Sequence, residues 1–160
     1  MRLKIGCIGR LKAGAEKELV DRYGDRIRKT GRSAGITDFV TREHPESRAQ
    51  TAVERKREEA TLLLQNMDQG AYLVVLDERG KALSSESFAS RVFEVVDRGV
   101  PEVYFAIGGA DGHGDDILAG AHLRLALGAM TWPHQLARVL LAEQIYRAIT
   151  IRTGHPYHRV

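Results

Sequence analysis

Two short, almost unbroken apolar runs constrain this chain more than any other feature: Tyr72–Asp77 (YLVVLD) and Pro101–Gly109 (PEVYFAIGG). A run of that length without polar alternation has no solvent-facing side, so it fits a strand buried on both faces, as in a parallel sheet. The intervening segments carry a helical period instead. Leu11–Lys29 sets Leu19, Val20, Tyr23 and Ile27 at helical spacing, and Ser47–Met67 is rich in Glu, Arg and Ala ahead of Leu62–Leu64. Ser84 is placed to cap a helix with Phe88, Val92, Phe93 and Val96 on one face. Arg2–Gly9 and Gly35–Val40 read as further strands, Ala121–Met130 contains a shorter one, and the polar segment Thr41–Glu46, with Pro45, reads as a loop. Strands alternating with helices predict an α/β domain whose mostly parallel sheet is covered by helices on both faces.

The length of 160 residues suits one domain, 1–160, with 43% hydrophobic and 28% charged residues as in a soluble globular protein. No run approaches the roughly 20 apolar residues of a membrane span, and the opening residues lack an export-signal pattern, so no membrane partner and a cytoplasmic location are expected. Cys7 is the only cysteine and falls in a probable strand, where it reads as a small buried hydrophobe. Net charge is only +3, but eighteen of the twenty-four basic residues are Arg, whose planar fork suits phosphates and base edges. A GC-rich genome produces the same bias, so position has to decide.

Ligands of open parallel sheets sit outside the carboxyl ends of the strands, which directs attention to the turns after Leu76-Asp77, Ile107 and Leu127. Ile107–Gly114 (IGGADGHG) is glycine-rich and lets backbone approach a flat or anionic ligand. It gives neither G-x-G-x-x-G nor a G-K-[ST] ending, which disfavours NAD and ATP. The alternative is a tight strand-to-helix turn in which Asp111 or Asp115 caps the short helix at Ile117. In Leu127–His134, Thr131 suits a helix cap and Pro133 the first helical turn. From Pro133 onward, Leu136, Val139, Leu140, Ala142, Ile145, Tyr146 and Ile149 form an apolar surface wide enough for a core or an interface. Arg138 and Arg147 interrupt it, and a buried Arg needs a partner; Glu143 offers one to Arg147 at i,i+4 spacing. The ending His155-Pro-Tyr-His158-Arg159 lacks the Cys or carboxylate neighbours of a metal shell, so no metal is expected. Its His, Tyr and Arg instead suit unpaired RNA bases and phosphates. No G-x-S-x-G elbow is present.

The segments YLVVLDERGKALSSESFA, FAIGGADG, MTWPHQLARVLLAEQIYRA and HPYHR, in this order, resemble the ribosomal large subunit methyltransferase H family of the SPOUT superfamily over essentially the whole chain. Gly31–Arg48 and the extra Gly114 match least. The resemblance implies a SPOUT-type α/β knot with a C-terminal trefoil, a homodimer, S-adenosylmethionine as methyl donor, and N3 of a pseudouridine in 23S rRNA, within the large subunit or whole ribosome, as acceptor. Leu76 and Asp77 match the family's first cofactor turn, Gly108 and Gly109 the second, and Gly128, Ala129, Met130, Thr131, Trp132 and Pro133 the third. On the same footing His158 and Arg159 are expected to assist loss of the imide proton. His134, Arg138, His155 and Tyr157 are expected to position RNA or the tail. A non-catalytic RNA-binding or ribosome-assembly protein on the same fold is the competing expectation, and a tail that only joins the dimer is a third.

Overall fold

A computed structural model describes residues 1–159; Val160, the last residue of the expected single domain, lies outside the described residues. Five strands, β1 (Arg2–Ile8), β2 (Asp38–His44), β3 (Tyr72–Ala82), β4 (Glu102–Ile107) and β5 (Leu123–Ala126), form one sheet in the order β2-β1-β4-β3-β5. Every pairing is parallel. The helices are α1 (Ala15–Thr30), α2 (Ala52–Gln65), α3 (Ser85–Asp97), α4 (Asp115–Gly120) and α5 (His134–Thr153).

The connections follow from chain chirality. From β1 to β2 and from β3 to β4 the chain steps across the sheet in one direction, and α1 and α3 pack on one face with Leu3, Ile5, Val74 and Phe105. From β2 to β3 and from β4 to β5 it steps the other way, and α2 and α4 pack on the opposite face with Leu73, Val75 and Tyr104. Reversing both direction and face keeps one hand throughout, as parallel crossovers require. The helix α5 lies on the first face against both α1 and α3, with Leu141, Ile145, Ala148 and Ile149 in the core.

Several boundaries differ from those read in the sequence. The strand β2 runs through Thr41–His44, which reads as a loop, because it is an edge strand whose Arg42 and Glu43 face outward and give no apolar signal. The first helix starts at Ala15 rather than Leu11, and α2 starts at Ala52, where the Thr51 hydroxyl accepts from the Glu54 N–H at 3.2 Å. Thr131 does not cap α5: Pro133 occupies the cap position without a side-chain bond, and the Thr131 hydroxyl lies 3.3 Å from Glu78 Oε2. Neither Asp111 nor Asp115 caps α4, whose cap residue is Gly114. Beyond Leu76, β3 breaks register and resumes at Lys81 against Leu125. No helix among the described residues is long and apolar enough to cross a membrane.

Candidate active site

Three turns meet at the carboxyl ends of β3, β4 and β5 and enclose a cleft of about 410 Å³, within the size range of small-ligand sites. Leu76 and Asp77 come from the register break in β3, and Gly108 and Gly109 follow β4. Gly128, Met130, Thr131 and Trp132 come from the segment joining β5 to α5, and His134 lies at the start of that helix. Ala129 and Pro133 belong to this segment without lining the cleft.

The glycines after β4 are required by close approach. A Cβ on Gly108 would lie 3.2 Å from the Gly112 carbonyl carbon and oxygen and from His113 Cε1, and one on Gly109 would lie 2.9 Å from Glu59 Oε2. The loop closes on itself, with the Gly112 N–H donating to the Gly109 carbonyl at 3.0 Å and Gly112 at φ 79°. It is also held from α2. Arg55 donates from Nε and NH2 to the two oxygens of Asp111 at 2.7 and 3.1 Å, and from NH1 to the carbonyls of Ala49 and Gln50. That bidentate pair, rather than helix capping, is what Asp111 does.

Asp77 is committed as well. Burial alone would raise its carboxyl, but hydrogen bonds from Arg124, at 3.0 and 2.6 Å, and from the Arg79 N–H outweigh it and hold Asp77 below the usual carboxylate range. His113 is the site residue that sequence reasoning passed over. Burial pushes its imidazole down to about 4, so it is neutral at pH 7, and its Nε2 is buried with no hydrogen-bond partner among the described residues. Its only signal in the sequence is membership of the glycine-rich loop. The cleft therefore combines a neutral imidazole, a neutralised carboxylate, exposed backbone and the apolar surfaces of Leu76, Met130 and Trp132. Lys56, Glu78, Arg79 and Arg124 add charge to the same lining, which therefore offers apolar, polar and charged contacts to a small ligand.

A family model described as "Predicted SPOUT methyltransferase" matches residues 1–158. The chain belongs to this family. It is 54% identical to a protein of Brucella anthropi and 54% identical to one of Xanthobacter autotrophicus, over 99% of this chain and of each relative. It is 52% identical to a protein of Rhizobium leguminosarum bv. trifolii over the full length of both. All three are named "Ribosomal RNA large subunit methyltransferase H".

In this SPOUT methyltransferase the C-terminal tail lies away from the cleft of its own chain; none of His155, Tyr157, His158 or Arg159 lines it. The His158 ring sits between α3 and α5, with Nε2 2.9 Å from Glu86 and Nδ1 3.2 Å from Arg147. Tyr157 donates to Glu143 at 2.9 Å and meets the Tyr146 ring edge-on at 4.8 Å. His155 Nδ1 accepts the Tyr157 N–H, and Arg159 is exposed. Arg147 has the partner its spacing suggests, Glu143 at 2.6 Å. Arg138 is 3% exposed and donates to Glu43 at 2.6 Å and to the Gly9 carbonyl at 3.1 Å, so it faces the interior rather than solvent.

Proposed function

We propose that this protein methylates N3 of a pseudouridine in 23S rRNA, with S-adenosylmethionine as donor, in the cytoplasm and on an assembled large subunit or ribosome. The observation that carries the reading is the convergence of Leu76–Asp77, Gly108–Gly109 and Gly128–Trp132 on one cleft, in a family whose members include named rRNA methyltransferases. The residues fit the donor. Backbone groups of Gly108, Gly109 and Gly128, which line the cleft, suit the polar edge of adenine, and Leu76, Met130 and Trp132 suit its faces. When bound, the donor supplies an electrophilic methyl group on a sulfonium. The chain's part is alignment and exclusion of water, and a rigid cleft contributes most through effective concentration.

The imide proton at N3 has to leave, and His158 with Arg159 are proposed to assist, by accepting the proton or by stabilising the anion that forms. Because the tail does not line its own cleft, a second copy is proposed to deliver these residues, which makes the homodimer the catalytic unit. Met130, Trp132 and Leu136, exposed at 77%, 41% and 40%, give an apolar surface at the cleft mouth suited to that contact. A C-terminal trefoil knot is part of the same reading. It is supported by the third turn, which leaves the sheet edge at β5 and crosses the ends of β3 and β4 to bring α5 between α1 and α3. His134, Arg138, His155 and Tyr157 are assigned to positioning of RNA or tail, Arg138 from within.

Calorimetry with S-adenosylmethionine and mass spectrometry of rRNA incubated with the donor test this. Saturable binding and a single added methyl on large subunits or ribosomes, above that on naked 23S rRNA, are expected. No saturable binding would leave only an RNA-binding role on this fold.

A further inference from the structure

Several cations on this surface are already matched: Lys17 with Asp21, Arg28 with Asp25, Arg55 with Asp111, Arg124 with Asp77, and Arg152 with Asp97. Arg10, Lys12, Arg42 and Arg48 are among those that are not, and their grouping sets them apart. All four are exposed, and among the described residues none makes an ion pair or a side-chain hydrogen bond. They also share one place in the fold. Arg42 ends the edge strand opposite Gly6, Arg10 and Lys12 lie in the loop after β1, and Arg48 lies in the segment after β2.

This place adjoins the cleft. Ile8, the last residue of β1, comes within 3.1 Å of a Cβ built on Gly109, and Ala137, which lines the cleft, precedes Arg138. Arg138 in turn fixes the loop that carries Arg10 and Lys12. Its guanidinium holds the Gly9 carbonyl and Glu43, and the same Glu43 Oε2 accepts the Leu11 N–H at 2.7 Å. Those bonds outweigh burial and keep Glu43 ionised, so its charge is balanced by Arg138 and does not cancel the exposed cations. Glu46 near Gly9, and Glu58, bonded to Ser47 next to Arg48, are acidic groups left beside them.

We infer that Arg10, Lys12, Arg42 and Arg48 form a phosphate-binding rim that holds the RNA backbone beside the cleft, and that Arg138 is a positioning residue for it. This rests on the function proposed above and adds the surface by which the substrate is gripped. Arginine forks with no internal partner match phosphodiester oxygens, and groups that touch only phosphates set register without reading sequence.

The test compares Arg10→Glu/Lys12→Glu with Lys29→Glu/Arg32→Glu, which reverses two exposed cations near the end of α1 and beyond it. Each full-length variant is titrated with a labelled hairpin RNA of about 20 nucleotides at several salt concentrations. The rim variant is expected to bind at least about 10-fold more weakly and to lose roughly 1.5 to 2 from the salt slope, while the control binds as wild type. Arg138→Met should weaken RNA binding less, leaving the salt slope nearer that of wild type. Equal losses in rim and control variants, an unchanged rim variant, or tighter binding of polyglutamate than of RNA by wild type would overturn the inference. Calorimetry with S-adenosylmethionine separates the two levels: its failure in wild type sinks the proposed function, whereas normal donor binding with unaltered RNA binding in the rim variant sinks the rim alone.

Discussion

The two ends of the sheet use charge in opposite ways. At the amino end, Lys4 lies 2.8 Å from a fully buried Glu102, outside hydrogen-bond alignment, and donates to the Asn66 carbonyl, while Glu102 accepts the Asp68 N–H and Arg2 pairs with Asp68. At the carboxyl end, glycine turns hold a cleft open, and among the described residues His113 Nε2 has no partner and Arg10, Lys12, Arg42 and Arg48 make no ion pair. At the amino end the charges are packed against one another, whereas the carboxyl end keeps its internal pairs beside an open cleft. The difference marks where a ligand belongs without reference to any relative.

Breaking the closed end should give the largest loss of stability and none of ligand affinity. Glu102→Ala leaves Lys4 mostly buried without its nearest counter-charge, and a loss of roughly 3 to 5 kcal/mol in urea denaturation is expected, with donor affinity per folded molecule unchanged. A matching loss of affinity would mean that the ends are not independent.

The open end should instead reveal itself through pH. The folded-state value of His113 lies near 4 against an ordinary 6.5, so the unfolded chain binds the proton more readily and stability falls as pH drops from 6.5 towards 4. About 3 kcal/mol more should be lost over that interval by wild type than by His113→Leu, as measured by denaturation at each pH. The shift at Glu43 is common to both proteins and cancels, and that at Asp77, held down chiefly by Arg124 and the Arg79 N–H with a minor contribution from His113, nearly does. Parallel pH profiles would show that the imidazole is not held neutral by burial.

A smaller and more local effect is expected at Gly108. Gly108→Ala forces a methyl to within 3.2 Å of the Gly112 carbonyl group, and the closed loop has to shift. Donor affinity should fall about 10-fold, equivalent to roughly 1.4 kcal/mol, with little change in melting temperature. Unchanged affinity would place the ligand elsewhere.

How much of this was legible in the sequence depended on whether the signal was local. The runs at Tyr72 and Pro101 announced buried parallel strands, and the broad apolar face after Pro133 announced a core helix, because burial on all sides leaves an uninterrupted apolar pattern. The residues Thr41–His44 hid a strand, since an edge strand needs only backbone pairing and tolerates Arg42 and Glu43. The three ligand turns were predicted singly, and the structure brings them together. The partners of Arg138, ninety-five residues away at Glu43, and of His158, seventy-two residues away at Glu86, left no trace in spacing. His113 was missed because its burial depends on how its loop folds back onto Gly108 and the ends of β3 and β4, which spacing does not reveal.

The placement of α5 has a consequence for how the chain acquires its structure. It follows the other described helices in sequence, yet it lies between α1 and α3 and fills the core on that face, and β1 finds its second neighbour only when β4 has been made. Contacts this distant in sequence slow folding, because loop closure costs entropy before any burial offsets it. A nascent chain stalled before residue 134 would expose the underside of α1, α3 and the sheet as one apolar surface. Such a truncated chain is expected to aggregate unless that surface is covered.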